Sequence, residues 1–435
     1  MILEPGKTDL KTEFYAMELR VGDLLGAGGQ GEVYAAEQDG RTVAVKWYTA
    51  TTIRNDPGLL KRLRSLRDHY KKPSEKFLWP IDVVASEKVP GFGYVMPFRE
   101  GRFRELNHVI YGEKRPSLLE RAKAGIEIVE AYQKLHAPGL CYRDINFGNV
   151  AFDVQTGETR ICDCDNVGEN NAEVRGGVAG TREFMAPEIV VALAEKTSVC
   201  PNFDTDLWSL SVLLFRLFLV DHPLVGRREV SGEADLRTLY GDRALFVYDP
   251  RDRSNEPVPG WHDSVMRLWE TYPRILRDLF TQAFTAGIRN PGQRVRETDW
   301  LYAMTRLRNM IHHCPHCTAE NFHDGQATQG CWHCGNTVPK PLRLKLKNHS
   351  VIMVNGAELY GHHVNAKDAS DANKAVARVV AHPHHADLLG LENRDGAPWH
   401  AVTPDGKEIT IDPNTRVSLR PGVRIDFGGA KGVVE

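Results

Sequence analysis

Asp144 and Asn149 stand five residues apart in Tyr142-Arg143-Asp144-Ile145-Asn146-Phe147-Gly148-Asn149, and two further acids follow in Asp163-Cys164-Asp165. An acid, an amide five residues on, and another acid beyond a short hairpin suit phosphoryl transfer from a nucleotide. Asp144 would orient the attacking hydroxyl and accept its proton, and Asn149 and Asp163 would hold a magnesium ion that neutralises the phosphates. Oxygen ligands suit that hard ion, which usually also keeps waters and phosphate oxygens in its shell. The spacing alone also fits a solvated turn. What decides is whether the elements that must position a nucleotide occur on both sides, in order.

Upstream, Leu25-Gly26-Ala27-Gly28-Gly29-Gln30-Gly31-Glu32-Val33 lies between alternating stretches, which predicts strand, glycine turn, strand. Glycines let the backbone close over phosphates without a side chain in the way. Val43-Ala44-Val45-Lys46 follows as a strand ending in lysine, and Tyr94-Val95-Met96-Pro97-Phe98 as a later strand. Downstream come Gly180-Thr181-Arg182-Glu183-Phe184-Met185-Ala186-Pro187-Glu188 and Asp206-Leu207-Trp208. In this order the stretches, over about residues 20–310, resemble eukaryotic-like protein kinases.

The resemblance implies a bilobal α+β kinase fold that uses ATP and magnesium. Asp144, Lys46 and Asn149 become the catalytic set, with Lys46 gripping the α- and β-phosphates. Gly26, Gly28, Gly31, Val33, Met96, Pro97, Arg99, Asn149 and Asp163 complete the nucleotide site. The Pro97 carbonyl and the Arg99 N–H would read adenine, and Met96 would be the gatekeeper. A proline is compatible there because it keeps its carbonyl. Thr181 matches the residue that braces the catalytic aspartate. Asp206 would accept backbone N–H groups of the catalytic loop, and Glu188 would form a buried ion pair with Arg294.

Several positions depart from that pattern. The basic amphipathic helix expected over 57–72 has no glutamate to pair with Lys46; Asp56, Asp68 and Glu75 are the nearby acids. Asn146 replaces the lysine usual two residues after the catalytic aspartate. Cys164 and Asp165 replace the Phe and Gly of D-F-G, and Asp165 either adds a carboxylate near the metal or caps a turn; the turn is the favoured reading. Cys162 either faces the nucleotide or is a buried thiol. Between Asp163 and Glu188 the only hydroxyl side chain is Thr181, so no activating phosphosite is expected in that loop.

The 435 residues carry a net charge of -2, which argues against nucleic-acid binding through a global positive field. The longest apolar run, Leu207 to Val220, is too short to span a bilayer and reads as a core helix. No stretch has the order of a signal peptide, and the reading is cytoplasmic, with no membrane partner. Residues 1–18 read as a polar lead-in and 225–262 as an irregular insertion.

Cys314-Pro315-His316-Cys317 and Cys331-Trp332-His333-Cys334 form two C-x-x-C knuckles with zinc-ribbon spacing. Four thiolates give a closed, structural zinc site whose metal supplies folding energy. A redox pair lacks the βαβ context it would need. Beyond a proline linker, short alternating runs from Leu342 to Phe427 predict a small β-sandwich. Leu359-Tyr360-Gly361-His362, Leu391-Glu392-Asn393 and Leu419–Gly428 resemble a degenerate forkhead-associated domain, with His362 at that family's arginine position. The expected domains are 1–97 (small lobe), 98–312 (large lobe), 313–338 (zinc ribbon) and 339–435 (sandwich).

Kinase, Phe77-Leu78-Trp79-Pro80, zinc ribbon and β-tail together resemble bacterial kinases found in triads linked to tellurite resistance. That resemblance implies a metal-dependent Ser/Thr phosphatase and a von Willebrand A domain protein as partners, beside a protein substrate bearing Ser or Thr. The leading expectation is a Ser/Thr protein kinase. A nucleotide-binding pseudokinase scaffold is the alternative, and a small-molecule phosphotransferase is disfavoured by Thr181 and the G-T-x-x-x-M-A-P-E stretch.

Overall fold

The computed structural model describes residues 1–112, 115–171, 180–198, 201–232, 235–325, 327–365 and 372–435. They group into two compact units. The first comprises 1–115, 128–266 and 278–298; the second comprises 116–127, 267–277 and 299–435. No break falls at 312, the expected end of the large lobe.

The first unit begins with a closed antiparallel barrel of β1 (Asp9–Thr12), β2 (Glu18–Ala27), β3 (Gly31–Gln38), β4 (Arg41–Tyr48), β5 (Asp82–Ala85) and β6 (Gly93–Pro97), in the order β1-β2-β3-β4-β6-β5. The lead-in is therefore not structureless. β1 pairs with both β2 and β5 and closes the barrel, with Leu10 and Thr12 buried and Asp9 and Lys11 exposed. That period of two is the signature of a half-buried strand. Leu10, Leu19, Val21, Tyr34, Val45, Trp47 and Val95 fill the interior.

Two helices follow the lysine strand. α1 (Ala50–Asn55), not foreseen, is capped by Thr49, whose side chain accepts from the Thr52 N–H. α2 (Leu59–His69) is shorter than the expected 57–72. Leu59, Leu63 and Leu66 recur at helical spacing and are buried, each worth roughly 2 kcal/mol. Its basic residues occupy the other faces.

Beyond α3 (Leu106–Ile110), the long helix α4 (Leu118–His136) leads into the catalytic loop. α5 (Pro187–Ala194) starts with proline at its first turn. α6 (Phe203–Leu219) is the expected apolar core helix, buried on nearly all sides. Asn202 and Thr205 form its capping box, each side chain accepting from the other's backbone N–H. The 225–262 segment is not wholly irregular: Arg227–Val230 and Leu236–Tyr240 are short helices.

In the second unit the hairpins Ile311–His313/Glu320–Phe322 and Gln329–Gly330/Thr337–Val338 carry the cysteine knuckles. Two antiparallel sheets follow. The six-stranded one runs Ser350–Ile352, Arg343–Leu346, Lys431–Val434, Arg424–Asp426, Trp399–Val402, Glu408–Ile411; the four-stranded one runs Glu358–Tyr360, Ala375–His382, His385–Asn393, Arg416–Ser418. Leu344, Leu359, Ala377, Leu391, Trp399 and Val423 meet in one core drawn from both. One of these strands, Lys431–Val434, lies beyond the expected span of Leu342 to Phe427. Gly432 has a packing reason: a Cβ there would lie 2.8 Å from a Leu344 methyl.

Candidate active site

β2 and β3 pair Gly26 with Val33 and Ala27 with Glu32, leaving a tight turn at 28–30 closed by the Gly28 N–H to the Gly31 carbonyl at 2.9 Å. The glycines differ in what they accommodate. A Cβ on Gly26 or Gly28 would meet nothing within 4 Å, whereas one on Gly31 would lie 2.2 Å from the Trp47 carbonyl oxygen. Gly31 is thus required by the close approach of β4, and the other two border open space.

That space is a cleft of 510 Å³ within the first unit. Gly26, Gly28, Gly31, Val33, Lys46, Met96, Pro97, Arg99, Asp144 and Asp163 all line it, together with Cys162. Asn149 is placed differently. It is buried, and its Nδ2 donates to the Asp144 carbonyl at 2.9 Å and to the Asp144 carboxylate at 3.2 Å.

Asp144 receives two more donors, Thr181 Oγ1 at 2.9 Å and Asn146 Nδ2 at 3.0 Å. Burial pushes its pKa up, against the pull of Thr181, Asn146 and Asn149. A carboxylate raised in this way is a better proton acceptor. Asn146 also caps the turn Phe147–Asn149, accepting the Gly148 and Asn149 N–H groups. It therefore braces the loop from within, a role its sequence position did not suggest.

The loop is anchored from below. Asp206, buried on α6, accepts the backbone N–H groups of Tyr142 and Arg143 and contacts His136 Nε2 at 3.1 Å. Arg143 is thereby held at φ +75°, a conformation costly for a side chain of its size. Gly180, at φ +106°, passes so close that a Cβ would lie 3.2 Å from the Arg143 carbonyl oxygen. Arg294 meets Glu188 through two bonds of 2.9 and 2.8 Å. This pair is not fully buried as expected: Arg294 is enclosed, but the Glu188 side chain is 41% exposed.

The largest correction concerns Lys46. Its ammonium is buried and reaches Asp165 at 3.0 and 3.2 Å, Asp163 at 3.3 Å and Gln30 Oε1 at 3.0 Å. Burial pulls its pKa down, but the charges of Asp165 and Asp163 outweigh that and keep it raised. Asp165 is not a turn cap. It is 2% exposed and also accepts from Tyr48 OH at 2.7 Å and Tyr94 OH at 3.3 Å. Of the three nearby acids expected as candidates, Asp56 is paired with Arg62, Asp68 with Arg67 and Glu75 with Lys72. The signal was available in part: a buried lysine requires a carboxylate, and α2 offers none in reach. Cys162 faces the cleft, and burial, only partly countered by Arg99, pushes its thiol up to about 11, so it stays protonated at neutral pH.

In the second unit the four expected cysteine sulfurs lie within 4.8 Å of one another. Cys314–Cys334 and Cys317–Cys331 are each 3.7 Å apart. A tetrahedral ion with metal–sulfur bonds of about 2.3 Å separates its sulfurs by about 3.8 Å, whereas a disulfide is near 2 Å. The His333 N–H and the Asn321 Nδ2 point at Cys331 Sγ from 3.4 and 3.5 Å, donors that suit thiolates. The donor set therefore fits a structural ion.

The protein kinase domain family matches residues 19–257, more than half of the chain. The chain belongs to the protein kinase family. It is 27% identical to the serine/threonine-protein kinase pim-2 of Danio rerio over 227 residues, 48% of this chain and 70% of that protein. It is 29% identical to a probable serine/threonine-protein kinase of Streptomyces coelicolor over 53% of this chain, and 30% identical to the DNA damage-responsive serine/threonine-protein kinase RqkA of Deinococcus radiodurans over 57%. The alignments cover 34% and 35% of those two bacterial proteins. The matched region carries the cleft and the catalytic loop. The cysteine knuckles and the two C-terminal sheets lie beyond it.

Proposed function

We propose that this kinase transfers the γ-phosphoryl group of ATP to Ser or Thr hydroxyls of a protein substrate. The observation that carries the reading is the Asp144 carboxylate, held by three donors at the edge of the cleft that Lys46 and Asp163 also reach. The substrate oxygen attacks γ-phosphorus, the bond to the ADP oxygen breaks, and the proton passes to Asp144. Lys46 holds the α- and β-phosphates, and the open space over Gly26 and Gly28 admits them. Asp163 and Asn149 would hold magnesium, which when bound offsets phosphate charge; Asn149 would have to present its carbonyl oxygen while its Nδ2 holds Asp144. Met96 backs the adenine, which the Pro97 carbonyl and Arg99 N–H read.

The four cysteines hold zinc in this reading, as a structural ion. The two C-terminal sheets act as a forkhead-associated-like module for docking partners, a metal-dependent phosphatase and a von Willebrand A domain protein among them. Phosphopeptide reading is not part of the proposal. His362 stands at the arginine position, and Asn393 is buried, holding the Ala397 and Ile411 carbonyls at 2.9 Å.

The alternative, a nucleotide-binding scaffold, draws on Asn146, which replaces a phosphate-facing lysine and is turned to Asp144. Intact mass after incubation with ATP, magnesium and a Ser/Thr protein substrate separates the two. Phosphate added by the wild type but by neither Asp144→Ala nor Asp163→Asn supports the kinase. Nucleotide-dependent thermal stabilisation without added mass supports the scaffold.

A further inference from the structure

We propose that Asp165 is the positioning residue of this nucleotide site, its carboxylate serving as the fixed counterion of Lys46 in place of a helix glutamate. The proposal rests on the kinase reading above and goes beyond it.

A lysine that grips phosphates must be held extended, and buried charge must be paired. α2, the element beside the site, supplies no acid for this. Its one acid, Asp68, is exposed and bonded to Arg67. Asp56, just before the helix, is committed to Arg62 at 2.6 Å. Among the described residues the carboxylates on Lys46 are Asp163 and Asp165.

These two acids are placed for different work. Asp163 lines the cleft, and its side chain is 36% exposed on that side. Asp165 is shut away from the cleft, with two phenol hydroxyls and the ammonium saturating its oxygens. The backbone makes the division possible. Asp163 takes a left-handed conformation, φ +49°, and the chain then enters a turn over Cys164–Asn166. Both side chains thus flank one ammonium from a three-residue loop.

α2 is joined to the same loop with reversed polarity. Arg62 Nε donates to the Asp165 carbonyl at 2.8 Å while its Nη2 holds Asp56. The helix grips the backbone of the loop, and the loop grips the lysine. Positioning of Lys46 therefore belongs to the metal-binding loop and needs no carboxylate from the helix. One consequence runs against the family pattern: restoring its glycine at 165 should impair the enzyme.

The test uses the full chain as wild type, Asp165→Gly, Asp165→Asn and Tyr48→Phe, with Asp144→Ala as the inactive reference. Steady-state kinetics in ATP are read beside the dissociation constant for Mg-ATP and the melting temperature. The Asp165 variants are expected to lose about tenfold or more in kcat/KM for ATP and to bind Mg-ATP about threefold or more weakly, while Asp144→Ala loses turnover and keeps affinity. Tyr48→Phe, which removes one donor to Asp165 at nearly constant volume, should move both quantities about twofold to fivefold the same way. If the Asp165 variants do not fold, Tyr48→Phe decides. Kinetics and affinity within twofold of wild type, whatever the change in melting temperature, would make Asp165 a structural residue and overturn the proposal. A wild type that binds nucleotide but transfers nothing fails the kinase reading instead, and the affinities then decide for Asp165. A wild type that neither binds nor transfers overturns both.

Discussion

Thr181 donates to Asp144 from a loop that has no other hydroxyl side chain. A donor to a carboxylate favours its ionised form, so removing it raises the pKa. Thr181→Ala should therefore shift the acid limb of the kcat–pH profile to higher pH and lower the plateau about tenfold; Thr181→Ser should restore both. His136 makes a second pH prediction, on stability. Burial pulls its pKa down, but hydrogen bonds to Asp206 and Glu297 outweigh this and hold it at about 9, against 6.5 for the free side chain. Because the folded value lies above the unfolded one, the stabilisation is full below about pH 6.5 and is lost as pH rises through about 9; its size is roughly 3 kcal/mol. Denaturant titrations from pH 6 to 10 should show that decline in the wild type and a flatter profile in His136→Gln. The cleft-lining residues named from sequence came from the resemblance of short local motifs to the kinase pattern, and ten of them do line the cleft. Asp165 was not legible in that way, because its partner lies 119 residues away and its usefulness depends on burial that no local pattern records.

Elements with a strong period were read from sequence to within a few residues: α2 and α6. β1 and α1 were missed because each is short and gains its stability from neighbours, β1 by pairing on both edges and α1 by its Thr49 cap. The cysteine hairpins have strands of two or three residues, too short to bury a core, and in the proposed reading an ion supplies their folding energy. A strong chelator, or Cys331→Ser, should abolish hydrogen-exchange protection across 311–338; unchanged protection would show that the hairpins fold without metal. The loop after Asp163 makes a different prediction. Phosphate sites mapped on active enzyme should fall outside 163–188, and a stoichiometric activating phosphate on Thr181 would refute this. The part of that loop at 172–179 lies outside the described residues and contains no hydroxyl side chain.

At the scale of the whole molecule, the second unit is assembled from three separate stretches, 116–127, 267–277 and 299–435. The Leu119 N–H is accepted by Glu320, Lys123 meets Glu358 at 3.1 Å, and the Tyr272 ring packs tilted against Phe322 at 5.2 Å between centroids. A fragment ending at 312, the boundary that motif spacing suggests, strips these residues of their partners. It should melt several degrees below the full chain or aggregate, as a thermal scan of both would show. Motif spacing marks where chemistry begins and ends, whereas burial is shared among distant segments, and here the two do not coincide. The six-stranded sheet carries the same point into time. Lys431–Val434 lies between Arg343–Leu346 and Arg424–Asp426, so the middle of the sheet closes only when a loop of more than eighty residues has been drawn in. Loop closure of that length is slow relative to hairpin formation. The short hairpins, Arg424–Asp426 with Lys431–Val434 among them, should therefore gain exchange protection in a refolding pulse before Arg343–Leu346 pairs with Lys431–Val434, and until then the exposed edge of Arg343–Leu346 is an open invitation to pair with another chain.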